Sequence, residues 1–108
     1  MIDISIDIKS DFIEKIEING HAGSAEKGYD LICCSVSTLL ISLINGLSEY
    51  VKADIEVKVE EGCSFIHIFD KDKEKRMKIE TLTNVFLLSV RGLEKENPKF
   101  IKLNITEE

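Results

Sequence analysis

Ile2, Ile4, Ile6 and Ile8 alternate with Asp3, Ser5 and Asp7, the two-residue period of a strand with one buried face. Lys9, Ser10 and Asp11 make a polar turn. A second strand is expected over residues 12–18, with Phe12, Ile16 and Ile18 on one face, so the two should form a hairpin. The next segment, Asn19-Gly20-His21-Ala22-Gly23-Ser24-Ala25-Glu26-Lys27-Gly28-Tyr29, is rich in glycine and small polar residues and reads as a loop. Ile32, Val36, Leu39, Leu40, Leu43, Ile44 and Leu47 then recur at three- and four-residue steps, which predicts a helix over about residues 30–50. Asp30 is its expected N-cap, because a carboxylate there accepts from the unpaired N–H groups of the first turn. The helix is apolar around most of its circumference, which suggests burial on more than one side.

After Lys52 the period returns to two. Ile55, Val57 and Val59 predict a strand, Glu60-Glu61-Gly62 a turn, and residues 63–69 a further strand, together a second hairpin. The charged run 70–76 reads as the solvated start of a second helix. Its face is marked by Met77, Leu82, Val85, Phe86, Ser89, Val90 and Leu93, and Asn97-Pro98 stops it. Phe100, Ile101, Leu103 and Ile105 close the chain as a last strand. The order ββαββαβ predicts an α+β fold, a mostly antiparallel sheet with two helices packed on it, and a single domain over residues 1–108.

Composition narrows the function classes. The 108 residues carry a net charge of −6. An acidic surface argues against direct nucleic-acid binding, which needs a basic face, and favours a cationic protein or peptide as partner. The alternating start lacks the basic and apolar blocks of an export signal. Residues 31–44, the longest apolar-rich stretch, are interrupted by Ser35, Ser37, Thr38 and Ser42 and fall short of the roughly 20 that cross a bilayer. A cytoplasmic protein without a membrane span is expected. In a reducing compartment Cys33, Cys34 and Cys63 should be thiols, since an odd count with two adjacent does not suit a disulfide framework.

Two of the polar residues stand out. His21 begins the glycine loop where a strand ends, and Cys33 lies in the first turn of the following helix. If the loop folds back, the two become neighbours. A helix start offers unpaired N–H groups and a partial positive charge, which favour a thiolate. A histidine beside it can take the thiol proton and later give one to a leaving amine. The same N–H groups can hold an oxyanion. Those are the parts that acyl transfer needs.

The segment Gly20-His21-Ala22, followed by Gly28-Tyr29-Asp30-Leu31-Ile32-Cys33-Cys34-Ser35-Val36-Ser37, resembles the signature of the ribosomal-processing cysteine protease family, Prp. That signature is Gly-His-Ala, a short variable loop, then Gly-x-Asp-Ile-Val-Cys-Ala-x-x-Ser. Leu31 and Ile32 stand where Ile and Val are commoner, and Cys34 where Ala is usual. The resemblance implies that Cys33 is the nucleophile and His21 its acid and base, with Gly20, Asp30 and Ser37 in supporting positions. It implies that Ala22, Gly23, Gly28 and Tyr29 belong to a loop that gates the site. It also implies a homodimeric endopeptidase that removes a short N-terminal extension from a large-subunit ribosomal protein, with no cofactor. Ribosomal proteins are basic, in keeping with the acidic charge.

Other chemistry is less well served. His21, Cys33, Cys34, Cys63 and His67 contain no Cys-x-x-Cys or His-x-x-x-His pair, so no metal site is expected. Cys63 and His67 are four apart on a strand and share a face with Phe65 and Phe69, a core or interface face. The alternative function is a non-catalytic dimeric module that binds a basic ribosomal-protein segment, using the loop and the acidic surface without the dyad.

Overall fold

A computed structural model describes residues 1–20 and 29–108, and of Tyr29 and Asp30 the backbone only. Strands β1 (Ile2–Lys9) and β2 (Phe12–Asn19) form the first hairpin, and α1 (Tyr29–Asn45) follows. A π-helical segment, Gly46–Val51, extends α1. Then come β3 (Ile55–Glu60), β4 (Cys63–Ile68), α2 (Lys73–Glu96) and β5 (Ile101–Glu107), which reproduces the expected order. The sheet runs β3-β4-β2-β1-β5. Every neighbouring pair is antiparallel except β1 with β5.

The isoleucines of β1 meet apolar partners in register, Ile4 with Ile18, Ile6 with Ile16 and Ile8 with Ile13. Phe12 therefore does not continue the row of Ile16 and Ile18 by simple alternation. A one-residue register shift between Asp7 and Ile8 puts Ile13 into that row. Phe12 is still buried, under the Arg76 guanidinium at 4.2 Å from its ring centre. Ser10 and Asp11 both take positive φ, the backbone of a tight hairpin whose twist matches that of its strands.

Both helices contribute to one core. From α1 and its extension come Val36, Leu40, Leu43, Leu47 and Val51, and from α2 Ile79, Phe86, Leu87 and Val90. The apolar face of α2 is rotated from the sequence expectation. Met77 and Val85 face outward, while Ile79, Thr83 and Leu87 are buried. Thr83 hid the true stripe because it is polar. Its hydroxyl donates to the Ile79 carbonyl at 2.8 Å, which satisfies it inside the core.

Among the described residues, burial of α1 on more than one side is not found. Residues Leu31–Val51 form 21 helical residues of mean hydropathy 1.9, long and apolar enough to cross a membrane, yet only 22% of the most apolar part is buried. The helical run ends within a residue of the expected position, but its last six residues are π-helical, and the apolar run extends beyond the residues 31–44 counted in the sequence. One side of the run packs on the sheet, and Leu31 and Ile41 on the other are exposed.

Asp70 is not part of a solvated run. It is buried, and its carboxylate accepts from the Asp54 N–H at 2.8 Å and the Asp72 N–H at 2.9 Å. It thereby ties the entry to β3 to the start of α2, where Asp72 is the N-cap and accepts from the Glu74 N–H. The Asp54 and Asp72 amides, in that order, hold the Asp70 carboxyl below its ordinary value of 3.8. Burial opposes them and Lys75 adds a smaller attraction.

Gly20 ends the first hairpin in a crowded place. A Cβ on it would stand 3.0 Å from the Ile2 Cα and 3.1 Å from the Met1 carbonyl oxygen, both backbone atoms. Its N–H donates to the Gly62 carbonyl at 3.1 Å.

Two outcomes follow from these contacts. Asp70→Ala strips two shielded amides of their acceptor and should lower stability by about 2 kcal/mol in urea unfolding at pH 7. Because the folded pKa lies below the unfolded one, the gap between wild type and variant should persist from neutral pH down to about pH 4. It should close as acid carries the carboxyl through its folded value. Gly20→Ala should cost about 1–3 kcal/mol by overpacking against backbone, read as a fall in melting temperature.

Candidate active site

Adjacent residues on a helix lie about 100° apart, so Cys33 and Cys34 cannot both face the same way. Cys33 turns toward the sheet and is half-buried, whereas Cys34 is exposed. The resemblance puts Cys33 and not Cys34 at the nucleophile position, and Cys33 is the one of the two that is half-buried. Cys33 is the fifth residue of α1, one residue beyond the first turn rather than within it as the sequence suggested, because the helix begins at Tyr29. Side chains on a helix lean toward its N-terminus, so the thiol reaches back over the turn whose N–H groups lack helical acceptors. Asp30 is the second residue of α1 rather than the residue before it, so it stands inside the first turn and not at the N-cap. A carboxylate in the first turn still meets the favourable end of the helix dipole.

Cys33 lines a cleft of about 310 Å³ between α1 and the sheet. Val36, Leu40 and Ile41 continue its helix wall, and Ile2, Ile18, Val59 and Ser64 lie on the sheet side. Gly20, Glu60, Glu61 and Gly62 belong to its border. Ile18, Ser64 and Val59 stand in one row across β2, β4 and β3, which explains why three separate strands meet there. The Ser64 hydroxyl donates to the Glu60 carbonyl at 3.3 Å and ties together the two strands at the tip of their hairpin.

Ser37 lies one turn after Cys33 and also lines the cleft. Its neighbours Ser35 and Thr38 spend their hydroxyls on the carbonyls of Leu31 and Cys34, at 3.0 and 2.8 Å. Among the described residues Ser37 makes no such bond back to its helix, so its hydroxyl is available to a molecule in the cleft.

His21, Ala22, Gly23 and Gly28 lie outside the described residues, and of Tyr29 and Asp30 only the backbone is described. The flanks of that segment are informative. Gly20, which precedes His21, and Cys33 border the same cleft, so strand end and helix start meet as the sequence suggested.

Cys63 has a different place. Ser64, Ile66 and Ile68 are buried under the helices, and strand alternation turns Cys63, Phe65 and His67 to the opposite face. The shared face expected for Cys63 and His67 is present, but it is the outward face of the sheet and not the core. There the His67 ring lies 4.1 Å from the ring of Phe69, and Lys15 approaches Phe65. Cys63 meets the cleft at the hairpin tip while its side-chain direction leads away from Cys33. Among the described residues no group of three or more His, Cys, Asp or Glu is placed to hold a metal ion.

The cleft's sheet side went unrecognised in the sequence. Ile2, Ile18 and Val59 read as ordinary strand residues, and Glu60, Glu61 and Gly62 read only as a turn. Nothing local marks them, because their meeting depends on strand order.

Comparison with known proteins places this geometry. The ribosomal processing cysteine protease Prp of Bacillus subtilis (strain 168) is 30% identical over 89 residues, 78% of each chain. The crystal structure of SMU.848 from Streptococcus mutans superposes with a TM-score of 0.88 at 29% identity, covering 100% of this chain and 96% of that one. The ribosomal processing protease Prp from S. aureus, crystallised with a substrate peptide, gives 0.87 at 19% identity, over 98% of this chain and 100% of that one, a likeness of fold. The family model described as cysteine protease Prp matches residues 1–102. With one helical cysteine turned into a cleft and the family match running almost from end to end, the chain belongs to the Prp family and is a cysteine protease.

Proposed function

We propose that this protein is a cytoplasmic endopeptidase that removes a short N-terminal extension from a large-subunit ribosomal protein. The observation that carries the reading is that Cys33, and not Cys34, lines a cleft bordered by the residue preceding His21. The names of the relatives point to ribosomal processing, and the net charge of −6 suits a basic protein substrate.

In this reading His21 takes the Cys33 proton as the sulfur attacks the scissile carbonyl carbon. Electrons move onto the carbonyl oxygen, and the N–H groups of the first turn of α1 receive that charge. The intermediate collapses, the C–N bond breaks, and His21 returns the proton to the departing amine. Water, deprotonated by His21, then attacks the thioester. Its collapse frees the carboxylic acid product, and the proton on His21 restores the thiol. No cofactor enters this sequence. Asp30 and Ser37 act as positioning residues, Asp30 on the first turn and Ser37 through its hydroxyl in the cleft. Residues 22–29, with Ala22, Gly23, Gly28 and Tyr29, close over the bound peptide and keep bulk water from the thioester until the amine product leaves.

The working unit is a homodimer. Met77, Val85 and Leu88 form an exposed apolar stripe on α2, and α1 leaves Leu31 and Ile41 uncovered. Side chains of this kind recurring on two adjacent helices suit a self-complementary interface.

Cys33→Ala should cut cleavage of a peptide spanning the extension at least about a thousandfold, while Cys34→Ala should stay within a few-fold of wild type. Loss of cleavage in Cys34→Ala with retention in Cys33→Ala would reverse the assignment. Leu88→Glu should convert a sedimenting dimer to monomer at micromolar concentration. An unchanged sedimentation coefficient would move the interface elsewhere.

A further inference from the structure

β3 is a terminal strand of the sheet. It pairs with β4 through six consecutive residue pairs, from Ile55 with Ile68 to Glu60 with Cys63, without a register shift. Only Glu61 and Gly62 separate the two strands, and Gly62 takes the positive φ that this tight turn needs. In a two-residue hairpin the residues flanking the turn form a hydrogen-bonded pair, and bonded and non-bonded pairs alternate from there. The bond from the Phe69 N–H to the Asp54 carbonyl, 2.9 Å, is in phase with this pattern six residues along. Glu56, Lys58 and Glu60 therefore direct their backbone groups to β4. Val57 and Val59 direct theirs to the open edge of the sheet.

The side chains of the same two valines lie on the helix-facing side, in the rows of Ile66 and Ser64. They are nevertheless 36% and 53% exposed, because α1 does not extend over β3. Val59 also lines the Cys33 cleft, opposite Ile41. Open backbone groups, exposed valines and the cleft thus form one continuous surface. Natural sheets blunt such edges with proline, bulges, inward charges or edge lysines. Of these β3 has Lys58 alone, and Lys58 points with Glu56 and Glu60 to the other face, leaving the helix-facing side at Val57 and Val59 without a charge. The opposite edge strand, β5, contributes no residue to the cleft.

We propose that the peptide to be cleaved adds to β3 as a sixth strand, held through the N–H and C=O groups of Val57 and Val59, with its scissile end entering the cleft at Cys33. This rests on the peptidase reading above and specifies how that site takes its substrate. An added strand places every second side chain over Val57, Val59 and Ile41 and turns the others outward. Affinity then comes from main-chain bonds, and sequence preference from alternate positions.

The test uses a fluorescent peptide covering the N-terminal extension and first mature residues of the host's large-subunit ribosomal protein. A series of single N-methyl substitutions along that peptide is measured for binding to the Cys33→Ala protein and for cleavage by wild type. Binding and cleavage should fall about tenfold at alternate backbone positions and change little at those between, as expected for loss of single hydrogen bonds. Val57→Pro removes an edge-facing N–H and no bond to β4, so it should fold and lose about tenfold in peptide affinity. If that variant does not fold, the peptide series on the unaltered strand decides. Cleavage with no alternating pattern would overturn strand addition and leave the peptidase reading intact. Alternating binding without cleavage would uphold strand addition and remove the peptidase reading. Absence of both binding and cleavage would remove both. Unchanged peptide affinity in folded Val57→Pro would also overturn the proposal, and a simultaneous loss of dimer would assign the edge to a second copy of the chain.

Discussion

The N–H of Gly20 donates to the Gly62 carbonyl, and a Cβ on Gly20 would press within 3.0–3.1 Å of the backbone of Ile2 and Met1. Three parts of the chain are locked together at that point, the start of β1, the end of β2 and the tip of the β3–β4 hairpin. The cleft opens beside this junction, and the segment bearing His21 departs from it. A side chain at position 20 would push β2 away from β1 or from the hairpin. Either movement would shift the border of the cleft relative to Cys33. The small residue therefore serves the site by permitting close approach of backbones, and glycine's conformational freedom is not the reason for it.

The second determinant is the width of the sheet. Five strands lie side by side, and two helices cover them from one face. α2 packs toward β5 and β2, and α1 packs beside it. Nothing in the described residues covers β3, whose side chains are exposed along nearly its whole length. The space beneath the edge of α1 becomes the cleft. Its helix wall places Cys33 close to a helix start, where thiolate chemistry is favoured. Its sheet side supplies an apolar surface and an unpaired strand edge. In the proposed reading, catalytic chemistry and peptide recognition both depend on this incomplete coverage.

Much of this was legible in the chain. The strict alternation of β1 gives a strand directly, and the α1 stripe of Val36, Leu40, Leu43 and Leu47 gives a helix. The Gly-His-Ala and Asp-x-x-Cys segments pointed to the family and, through it, to His21 and Cys33 as the pair proposed above. What was missed came from tertiary structure. The register shift that recruits Ile13 has no local signal, because it depends on how β1 and β2 close. Thr83 and Asp70 are polar residues whose burial only the fold decides; Thr83 is satisfied by its own helix one turn back, and Asp70 by the neighbouring Asp72 amide and the distant Asp54 amide. The motif pointed to Cys33 rather than Cys34, but that Cys33 lines a cleft depends on the direction of α1 relative to the sheet. The sheet side of the cleft needed the strand order, which brings Ile2, Ile18, Val59 and Ser64 from four strands to one side of a cavity.

The account stands on Cys33 being the activated sulfur of the three. The most direct measurement is the rate at which each cysteine reacts with a substrate-like peptide carrying an electrophilic carbonyl, followed by mass mapping at pH 7. Adduct should form on Cys33 far faster than on Cys34, although Cys34 is the more exposed thiol, and Cys63 should lag as well. Equal slow labelling of all three, or first labelling at exposed Cys34, would contradict an activated nucleophile in the cleft.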